Sequence, residues 1–158
     1  MKLDIPGYQV HEERRTKGKR GGIAILIRKG IKVVKYMGNE YAQGVGIQVQ
    51  GGDIIWVGNV YLPPTENMLK RGMDEDLARD LIEDITGAIP SQSQSVMCGD
   101  WNTRIGQLHP KIGETDIPRV SLDPIISQRA PWLINLCEIQ GWYILNGLQP
   151  GPPACHTF

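Results

Sequence analysis

Gln43-Gly44-Val45-Gly46-Ile47-Gln48-Val49-Gln50-Gly51-Gly52-Asp53-Ile54-Ile55-Trp56-Val57-Gly58-Asn59-Val60-Tyr61 holds two apolar-rich runs around one turn signal. In the first run Val45, Ile47 and Val49 share one face, and Gly46, Gln48 and Gln50 the other, because side chains alternate along an extended chain. Gly51-Gly52-Asp53 reads as the turn, and Ile54 to Tyr61 as the return strand, so 43–61 is predicted to be a β-hairpin. Leu62-Pro63-Pro64 closes it, since proline has no ladder donor and restricts the residue before it.

Upstream, the glycine-opened apolar run Gly21 to Ile27 and the β-rich run Ile31 to Tyr36 flank Arg28-Lys29-Gly30, and read as two adjacent strands joined by a tight connection. Downstream, Leu77, Leu81, Ile82, Ile85, Ala88 and Ile89 fall at helical spacing. Asp74, Glu75 and Asp76 fill the first turn, where the helix dipole favours negative charge, and Pro90 stops the helix. Ser95-Val96-Met97-Cys98-Gly99 reads as a short buried strand, and 101–127 as a long irregular stretch of the kind usually kept for function. Pro131 to Gln140 is predicted as a helix ended by Gly141, and Trp142-Tyr143-Ile144-Leu145 as a last strand. Strands first, then helix–strand–helix–strand, argue a mixed α/β (α+β) layered fold rather than a pure β-barrel, in a single domain over 1–158.

A hydrophobic share of 41% and a charged share of 22% are those of an ordinary globular protein. No apolar run approaches the ~18 residues of a membrane span, and Met1 to Val10 lacks the apolar core of a secretory signal, so no membrane partner is expected. Cys98, Cys137 and Cys155, odd in number and scattered, fit reduced thiols in an intracellular protein. The zero net charge conceals a division. Residues 1–35 carry ten Lys or Arg against three acids, a net of +7, and the rest carries seven against fourteen, a net of −7. The basic run Arg14, Arg15, Lys17, Lys19 and Arg20 suits a polyanion, or simply a solvated loop in a charged hairpin.

Gly99-Asp100-Trp101-Asn102 is the sharpest chemical signal. If the backbone stays extended past the strand, alternation sends Asp100 and Asn102 to the same side, at the carboxyl edge where α/β sheets place ligands. The carboxylate can orient and deprotonate a water, and the carboxamide can hold a phosphate oxygen or the carboxylate without adding charge. The plainer alternative is a turn, which Gly, Asp and Asn all favour. Cys98, His109, Cys155 and His156 lack the paired spacing of a zinc site, and neither a nucleophile elbow nor a P-loop is present.

Taken in order, Arg20-Gly21-Gly22-Ile23-Ala24-Ile25-Leu26, Val60-Tyr61-Leu62-Pro63-Pro64, the acidic amphipathic helix, Gly99-Asp100-Trp101-Asn102, Leu145-Asn146-Gly147 and Thr157-Phe158 resemble the endonuclease/exonuclease/phosphatase superfamily. The set is most similar to the endonuclease domains of LINE-type (non-long-terminal-repeat) retroelements, and covers about residues 5–158. The resemblance implies part of a four-layer α/β sandwich with mostly antiparallel strands, and a Mg²⁺-dependent phosphodiester hydrolase, specifically a DNA endonuclease. Asp100 then matches the aspartate that activates the attacking water or touches the metal, and Asn102 the asparagine that orients it and contacts the phosphate. Tyr61 matches a tyrosine that donates to a phosphate oxygen (or else packs on Pro63), and Thr157 a substrate-contacting threonine. Arg14 and Arg15 become candidate backbone contacts to DNA. Trp101 replaces the usual Phe or Leu and is expected to pack inward.

The family's asparagine and metal-binding glutamate strands, and its closing aspartate and Asp-His pair, have no counterpart in the match. Glu12 and Glu13 read as charged-loop residues and are not assigned as ligands. An incomplete domain, inactive alone and self-associating through exposed sheet edges, is therefore expected. The resemblance would place it in the nucleus if derived from a retroelement. Alternatives are a non-catalytic retroelement remnant, or a phosphatase or phosphodiesterase acting on a small or lipid phosphate.

Overall fold

The computed structural model describes residues 3–15, 21–113 and 120–147. The chain divides into two compact units, Met1–Asn102 and Thr103–Phe158.

The first unit contains two sheets. β1 (Tyr8–Arg14) and β2 (Gly22–Arg28) pair antiparallel as a two-stranded sheet. β3 (Lys32–Gly38), β4 (Ala42–Gln48), β5 (Ile54–Tyr61) and β6 (Gln94–Asp100) form the other, in that order. The β4–β5 hairpin is found as predicted, with Val45 opposite Val57 and the turn closed by Val49 N–H donating to Asp53 O at 2.9 Å. Gly51 and Gly52 both take positive φ there, of 101° and 95°, which explains the pair of glycines. β5 and β6 run parallel and need a crossover. Helices α1 (Thr65–Lys70) and α2 (Glu75–Gly87) supply it, and α1 had no sequence signal.

Side-chain contacts order the layers. The Gln43 amide donates to His11 O at 3.0 Å and the Asn59 amide to Ala24 O at 3.4 Å, so one face of the large sheet meets the small one. On the other face Asn39 donates to Leu81 O at 2.6 Å, while a Cβ at Gly44 would touch Ile85 at 3.5 Å, which places α2 there. The unit is thus a mixed α+β arrangement with mostly antiparallel strands. Asp74 caps α2, its Oδ1 accepting from the N–H groups of Asp76 at 2.9 Å and Leu77 at 3.2 Å. Ala78, Ile82 and Ile85 are the buried stripe of α2, and Val45, Trp56, Val60, Leu62 and Met68 are also buried.

Four expectations about the first unit need correction. The turn at 28–31 exists, but it carries the chain between sheets: Lys29 N–H donates to Gly7 O at 2.8 Å, extending the β1 pairing, and β3 pairs with β4 instead of β2. Glu12 and Glu13 lie within β1, opposite Ala24 and Ile23, rather than in a loop. β6 is an edge strand with exposed residues, not a buried one. Leu77 and Ala88 are exposed, and Ala78 occupies the buried face instead.

In the second unit, α3 (Ala130–Gln140) has Pro131 in its first turn and ends at Gly141, whose φ is 68°. Leu133, Leu136 and Cys137 are buried. Ahead of it, the irregular stretch is tied by its own side chains. Arg104 donates twice to the Asp123 carboxylate, at 2.6 and 2.7 Å, and the Gln107 amide pairs with the Ser121 backbone in both directions. Residues 142–145 do not form the strand predicted for them.

Candidate active site

Three strand ends meet at one rim of the four-stranded sheet. Tyr61 N–H donates to Tyr41 O at 2.9 Å at the start of β4, and Leu62 N–H donates to Asp100 O at 2.9 Å at the end of β6. Tyr61 and Asp100 are paired residues of the parallel ladder, so their side chains leave the same face on neighbouring strands. The backbones approach closely at Gly99, whose φ is 131°. A Cβ there would lie 2.0 Å from Val60 O, a distance no side chain tolerates. The glycine before the aspartate is therefore required by the ladder that sets Asp100 beside Tyr61.

Past Asp100 the backbone does not stay extended. Asn102 takes a φ of 45°, in the left-handed region that asparagine tolerates better than most residues. Alternation consequently stops at Asp100, and the backbone N–H of Asn102 contacts the acid instead. Asn102 N–H donates to Asp100 Oδ1 at 3.0 Å, and Asn102 Nδ2 donates to Leu62 O at 2.9 Å. The Asn102 backbone, and not its carboxamide, thus reaches the Asp100 carboxylate, while the carboxamide is engaged with Leu62 O. The turn reading of Gly99-Asp100-Trp101-Asn102 holds here in place of the extended one. Asp100 is exposed, Asn102 and Tyr61 are half-buried, and Trp101 is half-buried rather than turned fully inward.

The two arginines at the end of β1 diverge. Arg14 pairs with Glu12 on its own strand at 2.8 Å. Arg15 lies over the Tyr61 ring, its guanidinium carbon 4.5 Å from the ring centroid. Burial pushes the Tyr41 hydroxyl above its ordinary ionisation range and Glu40 adds to the rise, while the Arg15 charge opposes it. Lys17, Lys19, Arg20 and Thr157 lie outside the described residues.

A polar cluster between the sheets had no sequence signal beyond one glutamine on an apolar face. Tyr36 donates to Glu13 Oε1 at 2.7 Å and accepts from Gln43 Nε2 at 3.0 Å, and the His11 ring stacks on Tyr36 at 4.6 Å. Glu13 is thereby engaged in holding the two sheets together.

No protein-family model, curated protein or solved structure matches this chain.

The strand tip thus offers an exposed carboxylate, a phenol on the same face and a stacked guanidinium. Among the described residues no three His, Cys, Asp or Glu side chains converge on a point that can hold a metal ion. Magnesium takes near-octahedral oxygen ligation, which Asp100 by itself does not supply. No helix among the described residues is long and apolar enough to cross a membrane.

Proposed function

We propose that this chain carries the strand-tip portion of a metal-dependent phosphodiester hydrolase of the endonuclease/exonuclease/phosphatase type, acting on DNA. The observation that supports this most directly is the pairing of Asp100 with Tyr61 at the carboxyl ends of two parallel strands. In this reading Asp100 accepts a proton from the attacking water. Tyr61 donates its hydroxyl to a phosphate oxygen, where negative charge grows during in-line displacement. Asn102 positions: its N–H fixes the Asp100 carboxylate and its amide pins the loop to Leu62. Two sheets with a helix on one face are consistent with part of a four-layer sandwich, and Mg²⁺ enters only as the cofactor expected of the complete domain.

Plasmid nicking by the natural gene product that contains this segment tests the proposal. Conversion of supercoiled to open-circular DNA should require Mg²⁺ and fall at least about 100-fold in Asp100→Ala, the scale on which catalytic groups act. Nicking that is indifferent to Asp100→Ala sinks it. A second reading, a non-catalytic retroelement remnant, draws on the same bonds: Asp100 and Asn102 are both engaged in closing a turn. It expects no nicking from the same gene product. Self-association belongs to the proposal too, because β3 and β6 are the sheet's edges. Sedimentation as a monomer at all concentrations would remove that part.

A further inference from the structure

Arg14 and Arg15 are neighbours in sequence but differ in how their charge is used. Arg14 has a carboxylate at 2.8 Å. Arg15 has an aromatic face instead, and its Nε–H is covered without a hydrogen-bond acceptor among the described residues. No ion pair involving Arg15 occurs among those residues either. A guanidinium seated over a ring face, with its Nε–H covered, has lost much of its rotamer freedom already, so binding a ligand costs it less further entropy. Its fork of donors matches phosphate oxygens. Beside it the exposed Asp100 carboxylate repels any polyanion, and a cation on the ring of the ladder partner Tyr61 is well placed to offset that repulsion.

We propose that Arg15, stacked on Tyr61, is a phosphate-binding residue of the strand tip that takes a backbone phosphate of DNA and at the same time positions the Tyr61 ring, whereas Arg14 takes no part. The identity of the ligand as DNA rests on the phosphodiester reading above; the available cation on the tyrosine does not.

The test uses the full chain, ¹⁵N-labelled, and two probes: a short DNA duplex at low salt and inorganic phosphate. The covered Arg15 Nε–H is expected to exchange slowly enough to follow by NMR, and both it and the Tyr61 ring protons should shift with either probe. In parallel, duplex affinity is measured against salt for the wild type, Arg14→Ala, Arg15→Ala and Arg15→Lys. Loss of one phosphate contact in Arg15→Ala should flatten the slope of log affinity against log salt by about 0.9. Arg14→Ala should leave the slope unchanged. Arg15→Lys should keep the slope yet lose the Tyr61 ring shifts, because lysine retains the charge but not the guanidinium that lies over the ring. Should Arg15→Ala fail to fold, Arg15→Lys and the wild-type spectra still decide.

An Arg15 resonance unmoved by both probes, or equal slopes for Arg14→Ala and Arg15→Ala, overturns the proposal. Mg²⁺-dependent nicking by the gene product would in that case leave the phosphodiester reading intact. Conversely, Arg15 shifts with phosphate but no nicking would keep the anion site and remove the hydrolase.

Discussion

Asp100 stands beside Tyr61 across the β5–β6 ladder, at the last paired position of both strands. Gly99 makes that approach possible, since its φ is 131° and any Cβ at that position would sit 2.0 Å from Val60 O, leaving room for nothing larger than hydrogen. Gly99→Ala is expected to cost about 3 kcal/mol, combining backbone strain with a clash against backbone that cannot give way. Urea denaturation of the two proteins measures it. A loss under about 1 kcal/mol would mean that the ladder adjusts and that the glycine does not set the register.

Asn102 holds the tip from the other side. Its left-handed φ of 45° penalises ordinary side chains, and its amide donates to Leu62 O. Asn102→Ala should therefore lose about 2 kcal/mol, and Asn102→Gly about 1, because glycine removes the strain but not the missing hydrogen bond. The order of the two variants in a denaturation series is the informative result. If alanine proves as stable as glycine, backbone strain plays no part in the turn.

The hairpin at 43–61 and helix α2 were legible because their signals are local: alternation around Gly51-Gly52, and apolar spacing behind the Asp74 cap. Partner choice was not. Val33 and Val34 look like the natural return for Ile23 to Ile27, yet β2 pairs with β1, whose Glu12, Glu13 and Arg14 hide the strand in a charged sequence. The exposure of β6 follows from its place at the sheet edge, which no property of Ser95 to Gly99 encodes. Asp100 and Asn102 were readable as candidates by residue type, and Tyr61 only through the family resemblance. The turn at Asn102 was legible as the alternative reading of Gly99, Asp100 and Asn102, whereas the Arg15–Tyr61 contact depends on tertiary packing and leaves no mark in local spacing.

Burial, and then the neighbouring Glu13 carboxylate, push the Tyr36 hydroxyl well above its ordinary ionisation range, against an opposing effect of Gln43. The folded protein thus holds this proton when the unfolded chain, titrating near pH 10, begins to release it. The stability it contributes is fully present below about pH 10 and declines as pH rises beyond that. Tyr36→Phe should flatten this alkaline decline and lower stability at neutral pH by about 1 kcal/mol through the lost Glu13 bond. Melts at a series of alkaline pH values check both. An unchanged alkaline limb in Tyr36→Phe would assign the decline to other groups.

Two described cysteines should differ sharply in reactivity. Cys98 is exposed on β6, two residues before Asp100 and on the same face. Cys137 is buried in α3, where burial, with a smaller push from Glu138, raises its thiol to about 11. Since the thiolate is the nucleophile, only about one Cys137 in a thousand is reactive at pH 8, even before steric shielding is counted. In a Cys155→Ser background, a colorimetric disulfide reagent should therefore titrate one thiol quickly in the folded protein and the second only in denaturant. Two fast equivalents would show that α3 is not packed as described. Because Cys98 shares a strand face with Asp100, its modification also probes the rim: ligand bound at the tip should slow labelling of Cys98 and leave the slow Cys137 rate unchanged.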